Sequence, residues 1–144
     1  MIIKLPKREY DKILEQAKDE FPTEACGLIA GIEEESQIQI KEVFPMTNID
    51  DSAEHFSMEP EEQFAIVKEI RKQDYELIGN YHSHPFTPSR PSEEDKRLAY
   101  DQDKIYFILS LQDDEPVLKA FEIKEQKDVS EIELKIMENG ELRM

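Results

Sequence analysis

Between Tyr75 and Asp95 the chain has few ways to fold. The stretch from Tyr75 to His84 carries apolar residues at both parities (Leu77, Ile78, Tyr81), which predicts a strand buried on both faces. Pro85, Pro88 and Pro91 then forbid a continuing helix and force a turn. At Ser92 the chain restarts as a short helix, expected to reach about Tyr100, with Asp95 in its first turn. Side chains two apart on a strand share a face, so His82 and His84, two of the three histidines in the protein, present their imidazoles together. If the helix folds back over the strand end, Asp95 joins them. Two imidazoles, one carboxylate and a fourth position left to water form the usual pattern of a catalytic zinc.

Each of these pieces also has a plainer reading. Ser92-Glu93-Glu94-Asp95 has the form of a capping box, in which Asp95 is only a cap partner. Upstream, Glu24 stands at the threshold of the apolar run Ala25–Ile32, either as a rim charge or as a catalyst. Cys26, two residues on, is a competing thiolate ligand or a small core residue. His55 is a lone histidine that either touches the site or is structural or exposed.

The rest of the chain reads as alternating strands and helices. Ile2, Ile3 and Leu5 form an opening strand stopped by Pro6. From Lys7 to about Glu20, Tyr10, Ile13, Leu14, Ala17 and Phe21 recur at helical spacing, and Pro22 ends the helix. The run Ala25–Ile32 is a buried strand, with Gly27 and Gly31 allowing close backbone approach. Across the polar turn Glu33–Ser36 it pairs as a hairpin with Gln37–Phe44. A loop rich in Asn and Asp follows, and residues 54–58 form a short strand. Pro60 opens a helix to about Gln73, with Phe64, Ile66, Val67 and Ile70 facing inward. Lys104–Leu111, Val117–Ile123 and an alternating strand through Ile132, Leu134 and Ile136 complete the chain, and the acidic end after Met137 is expected to fray. Helices interleaved with hairpins make the class mixed α/β (α+β), in a single domain over 1–144.

Composition narrows the function. With 18 basic against 34 acidic residues the formal net charge is -16, which argues against nucleic-acid binding. No apolar run approaches the roughly 18 residues of a membrane span, and the start lacks a long apolar signal core. A cytoplasmic location is therefore the expectation, and the single cysteine cannot form an internal disulfide. Phosphate loops, the His-Glu-x-x-His helix, the Gly-x-Ser-x-Gly elbow and the paired-cysteine deaminase signature are absent.

Taken together, Glu24, then His82-x-His84, seven residues, Ser92, two residues and Asp95 resemble the full motif of the JAMM (MPN-plus) zinc metallopeptidases. The neighbourhood Glu24-Ala25-Cys26-Gly27-Leu28 and the pairs His84-Pro85 and Pro91-Ser92 look like that family too. The resemblance implies an MPN-like domain, a central mixed β-sheet flanked by helices with a cytidine-deaminase-like architecture. It implies one Zn2+ per chain on His82, His84 and Asp95, with Glu24 as general base and Ser92 as oxyanion donor. Members cleave after the Gly-Gly tail of ubiquitin-like proteins. A chain this short resembles the compact stand-alone prokaryotic type, whose expected partner is a small ubiquitin-like sulfur carrier bound as an added strand. The bond expected to be cut joins that tail to cysteine, a short extension or a lysine. A catalytically silent MPN scaffold and a small-molecule zinc amidase are the alternatives. The sequence leaves the oligomeric state open, and the segment from Met46 to Ser57 could also block the site.

Overall fold

The apolar run after Glu24 becomes the strand on which the sheet is built, because small and β-branched residues there can be covered on both faces. The computed structural model describes residues 1–138. In chain order these form β1 (Ile2–Pro6), α1 (Lys7–Glu20), β2 (Cys26–Glu33), β3 (Gln37–Met46) and α2 (Pro60–Lys72). Then follow β4 (Glu76–His84), α3 (Glu93–Arg97), β5 (Ile105–Ser110), β6 (Val117–Lys124) and β7 (Asp128–Met137). The strand order is β1-β3-β2-β4-β5-β6-β7, and β1 pairs with β7 to close the sheet into a barrel. The sheet is mixed: β2 runs antiparallel to β3 and β4, whereas β4 runs parallel to β5. β1 is parallel to both of its neighbours.

Successive residues of β2 serve two cores. Ile29 joins the larger cluster, which contains Ile13 and Ala17 of α1 together with Tyr81 and Phe107. Cys26 and Leu28 face the other way, with Met46, and are covered by Ile66 and Val67 of α2. Gly27 lies beneath Tyr81, where a Cβ would come within 2.4 Å of both the Tyr81 ring and the Phe44 carbonyl oxygen. The Tyr81 hydroxyl donates to Gln16 Oε1 at 2.5 Å, and Gln16 Nε2 donates to the Cys26 carbonyl at 2.9 Å. One helix side chain thus ties the sheet's two central strands to α1.

Several expectations change in detail. Phe64 does not face inward: it is 67% exposed, with Lys68 Nζ 5.6 Å from its ring centroid. At about 100° per residue Phe64 lies well round the helix from the stripe that Ile66, Val67 and Ile70 make. Phe21 lies beyond α1, exposed, its ring edge-on to Phe86. Residues 54–58 give one bridge, Asn48 to Met58, instead of a strand. α3 stops at Arg97, short of Tyr100. In β7, Ile132 is buried, but Ile136 turns outward and Met137 inward. The acidic end expected to fray lies, from residue 139 on, outside the described residues. Among the described residues no helix is long and apolar enough to cross a membrane.

Candidate metal centre

The site is built on the C-terminal end of β4, between β2 and β5. His82 and His84 point the same way and are 3% and 4% exposed. Ser83, between them, faces the opposite way. Its Oγ accepts from Ala25 N at 2.8 Å and its N–H donates to the Ala25 carbonyl at 2.9 Å. The residue after Glu24 is thereby latched to the histidine strand. The proline turn beyond His84 is tied to β5 by Ser89 Oγ on the Ile108 carbonyl and Ser110 Oγ on the Thr87 carbonyl, both at 2.6 Å. It delivers the chain to Ser92 as the N-cap of α3.

Ser92 and Asp95 do form the capping box: Asp95 N donates to Ser92 Oγ at 3.1 Å, and Ser92 N to Asp95 Oδ2 at 2.9 Å. That same Oδ2 lies 3.2 Å from His82 Nε2 and 3.1 Å from His84 Nε2, and the two Nε2 atoms are 3.1 Å apart. Capping and convergence are therefore not alternatives, since one oxygen does both. The Pro88 carbonyl can only accept, so His84 Nδ1, 2.9 Å away, carries the proton and a neutral His84 offers a lone pair at Nε2. Three donor atoms at these separations fit a tetrahedral ion, whose ligands at about 2.0–2.1 Å stand roughly 3.3 Å from one another. His82, His84 and Asp95 could together hold a metal ion.

Electrostatics follow from the burial. Burial works to raise the pKa of Asp95, but its hydrogen bonding with both imidazoles outweighs it and holds the carboxyl well below the usual carboxylate range. Burial likewise works to lower that of His84, and its separate hydrogen bonds to Asp95 and to the Pro88 carbonyl turn the net direction upward. Glu24 is 4% exposed. Its burial pushes the carboxyl up to about 8, with His84 opposing and the charges of Asp95, Glu94 and Glu54 adding. Glu24 Oε1 and His82 Nδ1 are buried with no protein partner. An orphaned carboxylate oxygen in such a place suits a cation or a reacting water rather than a rim charge.

A cavity of about 400 Å³ opens beside the triad, walled by residues 55–58, β4, β5 and α3. Phe56 stacks on His82, centroids 4.7 Å apart and planes 25° apart. His55 lines this cavity, and its Nδ1 stands 3.6 Å from Glu94 Oε2, so it belongs to the rim of the site and not to the triad. Cys26 is fully buried, and burial pushes its thiol up to about 12, as suits a core residue. The segment from Met46 to Ser57 runs alongside the site, bonding Glu24 N through the Ser52 carbonyl. Sequence reasoning passed over Ser83, Asn48 and Phe56; the hydrogen bonds of the first two run to backbone atoms, which leave no spacing signal.

Comparison with known proteins adds to this geometry. Residues 6–124 match the family described as prokaryotic homologs of the JAB domain. The CysO-cysteine peptidase of Mycobacterium tuberculosis (strain ATCC 25618 / H37Rv) is 32% identical over 97 residues, 67% of this chain and 65% of that protein. The chain thus spans slightly under two thirds of that relative. The desampylase of Haloferax volcanii is 30% identical over 107 residues, covering 69% of this chain and 74% of the relative. A solution structure from Desulfitobacterium hafniense superposes with a TM-score of 0.86 at 44% identity, over 96% of this chain and 94% of that one. A JAB1/MPN domain protein from Archaeoglobus fulgidus shares the fold, with a TM-score of 0.58 at 23% identity over 95% of this chain and 100% of its own.

Proposed function

The chain belongs to the family of prokaryotic JAB-domain homologs, and from that premise we propose that it is a zinc-dependent peptidase. Its substrate is a ubiquitin-like or sulfur-carrier protein, cut after the C-terminal Gly-Gly tail. The observation that carries this reading is the triangle of Nε2, Nε2 and Oδ2 atoms at 3.1–3.2 Å, with the orphaned Glu24 carboxylate buried at the same site. The names of the mycobacterial and haloarchaeal relatives, a CysO-cysteine peptidase and a desampylase, support the substrate class.

His82, His84 and Asp95 would hold one Zn2+. When bound, the ion supplies Lewis acidity at the scissile carbonyl and lowers the pKa of water. Glu24 accepts the proton of the attacking water and returns one to the leaving amine nitrogen, the two-way duty of a general acid–base. Ser92 Oγ accepts the Asp95 N–H through a lone pair, so its own hydrogen is free to donate to the oxyanion. β4 is paired on both sides, by β2 and β5, so an incoming tail cannot add to that strand. We place the tail instead in the cavity between residues 55–58 and α3.

Zinc content is the first test. Purified protein should carry about one zinc per chain, and Asp95→Ala should lose it. Asp95→Asn, which keeps an oxygen to accept the Ser92 N–H, separates metal loss from loss of the cap. Zinc-loaded protein should then release the leaving group from a Gly-Gly-tailed carrier conjugate in preference to simple amino-acid amides. Failure to cleave any such conjugate when fully loaded would overturn the substrate assignment.

A further inference from the structure

Asn48 has no place in the chemistry above, yet it is only 8% exposed and lies next to the site. Its Nδ2 donates to the Glu24 carbonyl at 3.0 Å and to the His55 carbonyl at 3.1 Å. Its Oδ1 accepts from Asp50 N at 3.0 Å and from Ser57 N at 3.1 Å. Two donors and two lone pairs exhaust what a side-chain amide can offer. The pattern also fixes its orientation, since a flipped amide would set N–H against N–H and oxygen against oxygen.

Glu24 depends on this arrangement. Its N–H is bonded to the Ser52 carbonyl at 2.7 Å and its carbonyl to Asn48, so both backbone polar groups of Glu24 belong to the segment 48–52. Its carboxylate Oε1 has no protein bond to hold it. With no bond to anchor Oε1, the placement of the buried carboxylate starts from that of its peptide. The same Asn48 amide holds the His55 carbonyl and the Ser57 N–H, on either side of Phe56, whose ring lies on His82. Alongside the Ser52 bond to Glu24 and the Ser83 latch on Ala25, one side chain thus links the Glu24 peptide to the cavity wall.

We propose that Asn48 is a positioning residue, which sets Glu24 against the triad and couples it to the cavity wall at residues 55–58. The inference rests on the peptidase reading above and deepens it. A group displaced by even about 1 Å can cost roughly 10²-fold in rate, so the fixing of one peptide is a large lever.

Asn48→Asp is the informative variant. It keeps both acceptor bonds to Asp50 and Ser57 and turns both donations into oxygen-against-oxygen contacts with the Glu24 and His55 carbonyls, so it holds the turn while driving the Glu24 peptide away. With zinc-loaded protein and a Gly-Gly-tailed carrier conjugate, kcat should fall at least about tenfold. KM and zinc affinity, the latter read by competition with a chromophoric chelator, should stay within about threefold of wild type. Asn48→Ala, which also frees Ser57, should raise KM in addition. Amide hydrogen exchange on the metal-free proteins gives a readout that needs no turnover. Glu24 should lose protection in Asn48→Asp, while Asp50 and Ser57 keep theirs. An unchanged kcat, or a fall matched by lost zinc or by a smaller folded fraction, would overturn the inference. If wild type itself cleaves nothing, the peptidase reading fails instead. Exchange then decides alone, and an unchanged Glu24 amide would overturn the positioning role.

Discussion

At the scale of single residues, the metal-free site sets charged groups against burial, and the balance has a pH signature. Glu24 is raised from 4.5 to about 8. Between those values the folded chain holds a proton that the unfolded chain has released, so stability is fully present below about 4.5 and is lost as pH rises toward 8. Melting of the metal-free protein should therefore show a downward slope across that window. Glu24→Gln should flatten it, and the same variant should retain zinc while losing at least about 10²-fold in turnover. Asp95 works in the opposite sense: it is depressed, so its contribution is present above pH 3.8 and is lost as pH falls further. His82, His84 and Asp95 were legible because a strand's two-residue period and a short proline turn leave little choice of where they go. Asn48 was not, because four hydrogen bonds to main-chain atoms depend on tertiary placement and imprint no period on the sequence.

At the scale of elements, the site is only as good as the registration of β4 against its neighbours. Gly79 begins the part of β4 that pairs with β5, opposite Ile105, and a Cβ there would lie 1.8 Å from the Ile105 carbonyl oxygen. The obstacle is backbone, which cannot swing aside as a side chain can. Gly79→Ala should thus push β4 away from β5 and cost about 1–3 kcal/mol or more in denaturant unfolding. Weaker zinc binding should accompany it, because His82 and His84 ride on the same strand. Most elements were readable from pattern: the buried β2, its hairpin with β3, and the strong β5 all follow hydrophobic period and turn residues. Phe64 misled because an apolar residue on a helix flank satisfies a spacing count without facing the core. Residues 54–58 misled because the Ser57 N–H that a strand ladder would use is bonded to Asn48.

At the scale of the whole molecule, a net charge of -16 sits on a small fold. Like charges crowded on a compact surface repel, and salt screens them over a Debye length of about 10 Å at 0.1 M. Raising ionic strength with a simple chloride salt should accordingly raise the melting temperature, and a flat or falling trend would show that specific ion pairs outweigh the bulk repulsion. Barrel closure was the least legible feature, because parallel pairing between residues 2–6 and residues 133–137 leaves no local mark. That closure also sets a timetable. The three converging donors and the strands that flank them are all present by Ser110, whereas β1 has only β3 for a partner until β7 has been made. On the ribosome, the chemistry-bearing half exists before the sheet can shut, and for that interval the edges of β1 and β6 are bare. β7, made after the donors are in place, is the strand that covers both edges.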